Sequence, residues 1–202
     1  MLPIETPISE IDDTGLDADA ARMLRVSSDA CAESFAELTN AWCPRIQRLC
    51  FRLCGNLADA EDLTQEIFQK LFRSRERYRP DAKFSTFLWQ IATNHCRDFA
   101  RAQRRRATAN QRHQAWLALN PTGNGEAASQ DLCETVQQAV WRLSEPYKTV
   151  LVLRHYEQLK FSEIAELLQL PQGTVASRMA KALRLVEREL IRAEVLPPTT
   201  NT

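Results

Sequence analysis

Between Phe84 and Arg105 the chain places Gln90, Asn94, Arg97, Arg101 and Arg105 at three- and four-residue steps. On a helix these residues share one side, with Arg104 near them, while Phe84, Phe87, Leu88, Ile91, His95 and Phe99 share the opposite side. A row of arginines repels itself unless an anion neutralises it, and a phosphate backbone is the obvious anion. The Asn94 amide can pair with the edge of an unstacked base. Trp89 lies off the apolar arc and, with Tyr78, is expected to offer a surface on which unpaired bases stack. The plainer reading is a solvated charged face; arginine repeated beside an amide and two aromatics favours nucleic acid. His95, on the apolar arc, is expected at the core or its boundary rather than as a ligand.

Just upstream, Leu63, Ile67, Phe68, Leu71 and Phe72 mark one broad face of a helix, and Asp59, Asp62, Glu66 and Gln69 mark the other, with Gln65 at the margin. Acids in a first turn suit the positive end of the helix dipole. The sharper alternative is a docking surface for a basic partner helix. Farther on, Phe161 to Leu183 reads as helix-turn-helix. Ile164, Leu168, Leu170, Val175 and Met179 are the expected buried positions, Ala165 sits where the helices cross, and Pro171 starts the second helix. The exposed side of that helix would carry Ser177, Arg178, Lys181, Arg184 and Arg188, a set that fits the major groove. An ordinary three-helix bundle is the competing reading.

The elements that must position these residues are helical throughout. Glycine is scarce, the hydrophobic fraction is 44%, and apolar–polar alternation is almost absent, so the expected fold class is all-α, with two helical domains joined by a flexible linker. The expected divisions are an acidic disordered tail over 1–21, a first domain over 22–106, a linker over 107–128, a second domain over 129–192 and a disordered tail over 193–202. Pro44 is expected to divide or kink the helix spanning Cys31 to Cys54. Gly55-Asn56 should end that helix, and Ser144 should cap a helix beginning Glu145-Pro146.

The net charge of zero conceals an uneven distribution. Residues 1–21 hold six acids and no Lys or Arg, whereas residues 22–113 hold seventeen bases against ten acids. A basic middle third keeps a nucleic-acid partner in play despite the neutral total. The first residues lack the basic-then-apolar order of a secretory signal, and no apolar run approaches the ~20 residues of a membrane span. The expected location is therefore cytoplasmic, without membrane insertion, and the six cysteines are expected as thiols. Cys50 and Cys54 lie one turn apart, which makes a redox or metal sensor conceivable, but packing thiols are the simpler account. No Gly-rich phosphate loop, nucleophile motif or acid pair in an apolar setting is visible, so neither an enzyme nor a cofactor is expected.

Taken together, these segments resemble the bacterial sigma-70 family, specifically its extracytoplasmic-function (ECF) group. DAEDLTQEIFQKLF resembles the helix that contacts the beta-prime clamp helices of RNA polymerase. FSTFLWQIATNHCRDFARAQRRR is similar to the promoter-melting and minus-ten segment. LSEPYKTVLVLRHYEQLKFSEIAELLQLPQGTVASRMAKAL is similar to sigma domain 4, which reads the minus-thirty-five element. The resemblance covers about residues 22–192. It implies a sigma domain 2-like bundle, a sigma domain 4-like helix-turn-helix, and a factor that directs promoter recognition, melting and initiation. By position it implies core-polymerase contacts at Asp62, Gln65 and Glu66. It implies minus-ten contacts at Ser74, Tyr78, Trp89, Asn94, Arg97 and Arg101, and minus-thirty-five contacts at Thr174, Ser177, Arg178, Lys181 and Arg184. The implied partners are core RNA polymerase, through its clamp helices and beta flap, and promoter DNA, with an anti-sigma factor as a further candidate. The linker would thread toward the polymerase active-site channel. A stand-alone helix-turn-helix regulator is the alternative. The chain departs from the family at Lys160, where a hydroxyl cap is usual and Ser162 could take over, and at Ala176 and Ala180, where larger or basic side chains are common.

Overall fold

The computed structural model describes residues 17–29, 31–80, 83–114 and 132–193, with side chains described outside 106–114 and 132–134. The described residues form eight α-helices and no strand: α1 (Ala18–Asp29), α2 (Ala32–Cys54), α3 (Leu57–Arg73), α4 (Phe84–Gln114), α5 (Leu132–Arg142), α6 (Glu145–Leu151), α7 (Phe161–Leu168) and α8 (Gln172–Arg192). The all-α expectation holds. The helices fall into two groups, α1–α4 and α5–α8.

Helix α1 begins inside the stretch expected as a tail. The Asp17 carboxylate accepts the Ala20 N–H, and Ala20, Met23 and Val26 are buried against α2. Asp19 accepts a hydrogen bond from Trp42 Nε1 at 2.9 Å and pairs with Arg22 at 3.1 Å. Two of the six acids therefore cap and anchor a helix. Residues 1–16 lie outside the described residues.

Pro44 does not divide α2, which runs unbroken from Ala32 to Cys54. Leu38 and Trp42 before the proline and Ile46 and Leu49 after it are all buried in the same core. That burial on both sides outweighs the roughly 3 kcal/mol that an interior proline costs. Gly55 ends α2 in the left-handed region at φ 81°, its N–H donating to the Phe51 carbonyl at 2.8 Å. Asn56 then caps α3 by accepting the Asp59 N–H. Around this hairpin, Trp42 meets Phe84 and Trp89 edge-on, with ring centroids 5.9 and 5.8 Å apart.

In the second group α6 widens into a π-helical turn at Val152–Tyr156, closed by the Glu157 N–H on the Val152 carbonyl. Helices α7 and α8 follow, joined through Gln169 in the left-handed region. Ile164, Leu168 and Val175 are buried as expected, and Leu170 and Met179 pack partly buried beside them. Two expected caps are replaced. Ser144 stands at the α6 N-cap, but its side chain makes no cap hydrogen bond; its carbonyl takes the Tyr147 and Lys148 N–H groups. At α7 the helix starts at Phe161 rather than later at Ser162, because the Glu163 carboxylate reaches back to the Lys160 N–H at 2.6 Å. This is the acid half of a capping box, and it satisfies the start without a hydroxyl. Helix α4 continues to Gln114, into the expected linker, whose remainder lies outside the described residues.

Candidate nucleic-acid interface

On α3, Asp62, Gln65 and Glu66 are all exposed, opposite the buried Leu63, Ile67 and Leu71. Beside Gln65 an open groove, walled by Phe35 and Cys43 of α2 and Phe68 and Phe72 of α3, presents an apolar surface. Phe35 and Phe72 meet edge-on at 5.1 Å. Glu66 is not free, since its carboxylate contacts His95 Nε2, while His95 Nδ1 contacts Lys70 Nζ, both at 2.5 Å. Lysine can only donate, so Nδ1 accepts and the imidazole proton sits on Nε2 toward Glu66. His95 is thus a boundary residue that ties α4 to α3.

On α4 the structure separates the expected minus-ten residues into two sets. Asn94 and Arg101 are exposed and Arg97 is half-buried on the outer side. Ser74 caps the end of α3, its hydroxyl donating to the Leu71 carbonyl. Trp89 and Tyr78, expected as an exposed stacking surface, are instead buried, 1% and 2% exposed. Trp89 packs on Trp42 and is covered by the Arg45 guanidinium, 4.9 Å above its ring. Tyr78 packs on Phe84 and Phe87. An indole just off the apolar arc of a long helix is still within reach of a neighbouring helix, and α2 supplies that cover. Burial, reinforced by Asp17 and Asp19, pushes the Tyr78 hydroxyl up to about 12.

The arginine stripe also has more acidic company than its own helix provides. Arg101 pairs with Asp98 at 3.4 Å, and Arg97 Nε lies 2.9 Å from Glu145 on α6. Around that pair is a cavity of about 250 Å³ between the two helix groups, lined in part by Phe99, Arg104, Trp141 and Lys148. Burial, aided by Arg104, lowers the Lys148 ammonium below the ordinary lysine range, and its Nζ donates to the Leu53 carbonyl.

On α8, Ser177, Lys181 and Arg184 are exposed, and Thr174 and Arg178 are half-buried at its first turns. The Ser177 hydroxyl donates to the Thr174 carbonyl. The helix therefore presents one continuous polar and cationic face beside the turn, the arrangement a groove-reading helix requires.

The cysteines pair differently from their spacing. Cys50 lies 3.7 Å from Cys96 across α2 and α4, while the Cys54 thiol turns to the Asn56 carbonyl. Contact with Cys50, together with burial, holds the Cys96 thiol well above the ordinary range. Among the described residues no group of three or more His, Cys, Asp or Glu is placed to hold a metal, and no helix is long and apolar enough to cross a membrane.

Comparison with known proteins decides between the two DNA-binding readings. The Sigma-70 region 2 pattern matches residues 38–106, and the Sigma-70 region 4 pattern matches residues 133–186. The ECF RNA polymerase sigma-E factor of Haemophilus influenzae is 33% identical over 141 residues, covering 65% of this chain and 75% of that one. The chain belongs to the ECF sigma factors. It is a sigma factor of RNA polymerase, acting in promoter recognition and transcription initiation. SigW of Bacillus subtilis, also an ECF sigma factor, is 29% identical over 167 residues, covering 78% of this chain and 89% of that one. Among solved structures, CnrH in complex with the cytosolic domain of CnrY superposes with a TM-score of 0.63 at 20% identity, covering 88% of this sigma factor and 99% of that chain. RpoE of Bartonella quintana, in complex with the anti-sigma factor NepR, gives 0.60 at 18% identity, covering 79% and 98%. Both share the fold of this ECF factor.

Sequence reasoning missed Arg45, Arg52, Glu145 and Glu157, which form the ion pairs between the helix groups. Their sequence separations exceed one hundred residues for the Glu157 pairs, and no periodicity within one helix announces such contacts.

Proposed function

We propose that the two helix groups divide the work of initiation. The first, including α1, holds core polymerase and the minus-ten element; the second, from about residue 129 to 192, reads the minus-thirty-five element. The linker after α4 runs toward the polymerase active-site channel. Asp62, Gln65 and Glu66 dock on the beta-prime clamp helices, with the adjacent apolar groove receiving side chains of that partner. Ser74, Asn94, Arg97 and Arg101 hold the minus-ten strand, Asn94 pairing with the edge of an unstacked base. Capture of that base offsets the few kcal/mol of flipping it out. Thr174, Ser177, Arg178, Lys181 and Arg184 face the minus-thirty-five groove, and the same domain meets the beta flap. The factor carries no catalytic residue of its own and works in the cytoplasm, beside the polymerase. An anti-sigma factor is a further partner, by analogy with the Bartonella relative.

The observation that carries this reading is the pairing of an exposed acidic face beside an apolar groove on α3 with an exposed cationic face on α8. One helix is built for a protein partner and the other for phosphate. Run-off transcription with core polymerase tests it. Asp62→Lys with Glu66→Lys is expected to weaken core binding by about tenfold or more, with helix content by circular dichroism near that of the wild type. Core affinity within twofold of the wild type would remove the docking role. Asp62 is the more decisive of the two, because Glu66 is already engaged by His95.

A further inference from the structure

Two thiols meet inside the first helix group and have no part in initiation as read above. Cys50 of α2 and Cys96 of α4 are 0% and 5% exposed, and their sulfurs lie 3.7 Å apart. Spacing along the chain points instead to Cys54, one turn beyond Cys50, but the Cys54 thiol is spent on the Asn56 carbonyl. A disulfide needs its sulfurs at about 2.05 Å, a short approach for two atoms already in contact. Burial does not seal the pair off. Cys96 lines the cavity of about 250 Å³ beside Phe99, and two other lining residues, Gln103 and Arg104, are exposed, so the space opens to solvent. It admits a molecule little larger than water, whose share of liquid volume is about 30 Å³. The hydrogen bond with Cys96 lowers the Cys50 thiol against the opposing effect of burial, while the same contact and burial hold Cys96 high. Cys50 is therefore the better nucleophile of the two, and Cys96 is the one a solute can reach.

We propose that Cys50 and Cys96 form a reversible oxidation site, which a small peroxide closes into a disulfide that ties α2 to α4. Peroxide entering the cavity transfers one oxygen to the Cys96 sulfur; the thiol becomes a sulfenic acid and the rest of the peroxide leaves as water. The Cys50 sulfur then attacks the Cys96 sulfur, the S–O bond breaks, and the hydroxyl leaves with the Cys50 proton as a second water. Two thiols thus lose two electrons in all, and one peroxide becomes two waters. The first step is slow, because Cys96 keeps its proton, so the site answers sustained oxidant. In a reducing compartment the resting pair is the dithiol. The bond would close a long loop and constrain the unfolded chain. It would also fix the helix that walls the apolar groove beside Gln65 against the helix that carries Asn94 and Arg101.

The experiment uses the full chain, reduced and then held folded in hydrogen peroxide. Remaining thiols are blocked with N-ethylmaleimide in denaturant, and the peptides are mapped by mass spectrometry. Cys31 is the rival target, since hydrogen bonds from Ser34 lower its thiol. The expected product is a linked Cys50–Cys96 peptide pair in most chains, whatever happens at Cys31. The oxidised chain should melt about 5 °C or more above the reduced one, and dithiothreitol should abolish both the link and the rise. Cys50→Ala and Cys96→Ala should each lose both responses, and Cys31→Ser should keep them. Recovery of Cys50 and Cys96 as blocked thiols overturns the proposal, as does a link from Cys50 to Cys54 or oxidation of Cys96 to a sulfinic acid without any link. A Cys50–Cys96 link with an unchanged melting temperature overturns the tie between the helices. If an alanine variant loses helix content, the wild-type peptide map and its reversal by dithiothreitol decide the matter alone.

Discussion

Helices α4 and α8 each carry a row of arginines, yet they sit in opposite surroundings. α4 buries Phe84, Leu88, Trp89, Ala92 and Cys96 and is a central beam of the first group. α8 buries Val175, Ala182 and Leu190 and keeps Ser177, Lys181, Arg184 and Arg188 exposed. The outer stripe of α4 is met by acids, Arg97 by Glu145 and Arg101 by Asp98. Similar charge patterns thus serve two designs. On the proposed reading α8 is a reading head, and its face can vary without touching the core. On the same reading α4 must hold the domain together and bind DNA with what remains of its circumference.

Substitutions at the two helices should therefore separate stability from recognition. The largest effect is expected at Trp89. Trp89→Ala removes a buried indole from the Trp42–Phe84 cluster and should destabilise the fold by about 3–5 kcal/mol, measured by urea unfolding. Arg184→Ala on α8 should stay within about 0.5 kcal/mol of the wild type in the same experiment. A folded, fully stable Trp89→Ala protein with a selective defect on melted DNA would restore the stacking role that burial denies it.

The next effect is on α8 and leaves stability untouched. On the proposed reading Arg178, one turn into the helix, reaches a base edge, so Arg178→Ala should cost roughly 1–3 kcal/mol and relax preference at one promoter position. Arg188, farther along, should touch phosphate only. Arg188→Ala is expected to weaken all sequences about equally and to lower the salt slope by about one. Selection from a random minus-thirty-five library checks the pair. Identical sequence preferences for the wild type and Arg178→Ala would reduce Arg178 to a phosphate contact. Ala176 and Ala180 leave room for shape readout to supply part of the selectivity.

What could be read in advance was whatever is local and periodic. The apolar stripe Leu63–Ile67–Leu71, the helix-turn-helix positions Ile164 and Val175, and the outward Asn94 and Arg101 all follow from 3.6-residue spacing. The failures at Trp89, Pro44 and Arg97 share one cause, which is contact between distant segments. Periodicity set Trp89 off the apolar arc, but the buried face of α4 runs through Trp89, Ala92 and Cys96, because α2 arrives to cover it. Pro44 broke a local rule that tertiary burial overrode. Lys160 lacked a hydroxyl, and Glu163 replaced it from three residues on. Arg97 looked unpaired because its acid lies on α6, beyond the linker.

The smallest expected effect sharpens the same contrast on the α4 side. Tyr78 packs against Phe84 and Phe87 of α4, and its hydroxyl is buried with no hydrogen-bond partner among the described residues. Tyr78→Phe removes that orphaned group while keeping the ring, so stability at neutral pH should be unchanged or raised by on the order of 1 kcal/mol. Promoter melting, followed by permanganate footprinting, should be unchanged, because the ring is buried. The pH dependence distinguishes this account from a merely tolerated substitution. The folded hydroxyl is pushed up to about 12 by burial, whereas the unfolded one titrates near its ordinary value of 10. Between those values the unfolded chain loses a proton that the folded chain keeps, which favours unfolding. The contribution is intact below pH 10 and fades as the pH rises through 12, by on the order of 1–2 kcal/mol. Tyr78→Phe should flatten that alkaline decline. A variant whose stability falls between pH 10 and 12 as steeply as the wild type would mean that Tyr78 ionises freely. Its side chain would then be open to solvent, and to a base, after all.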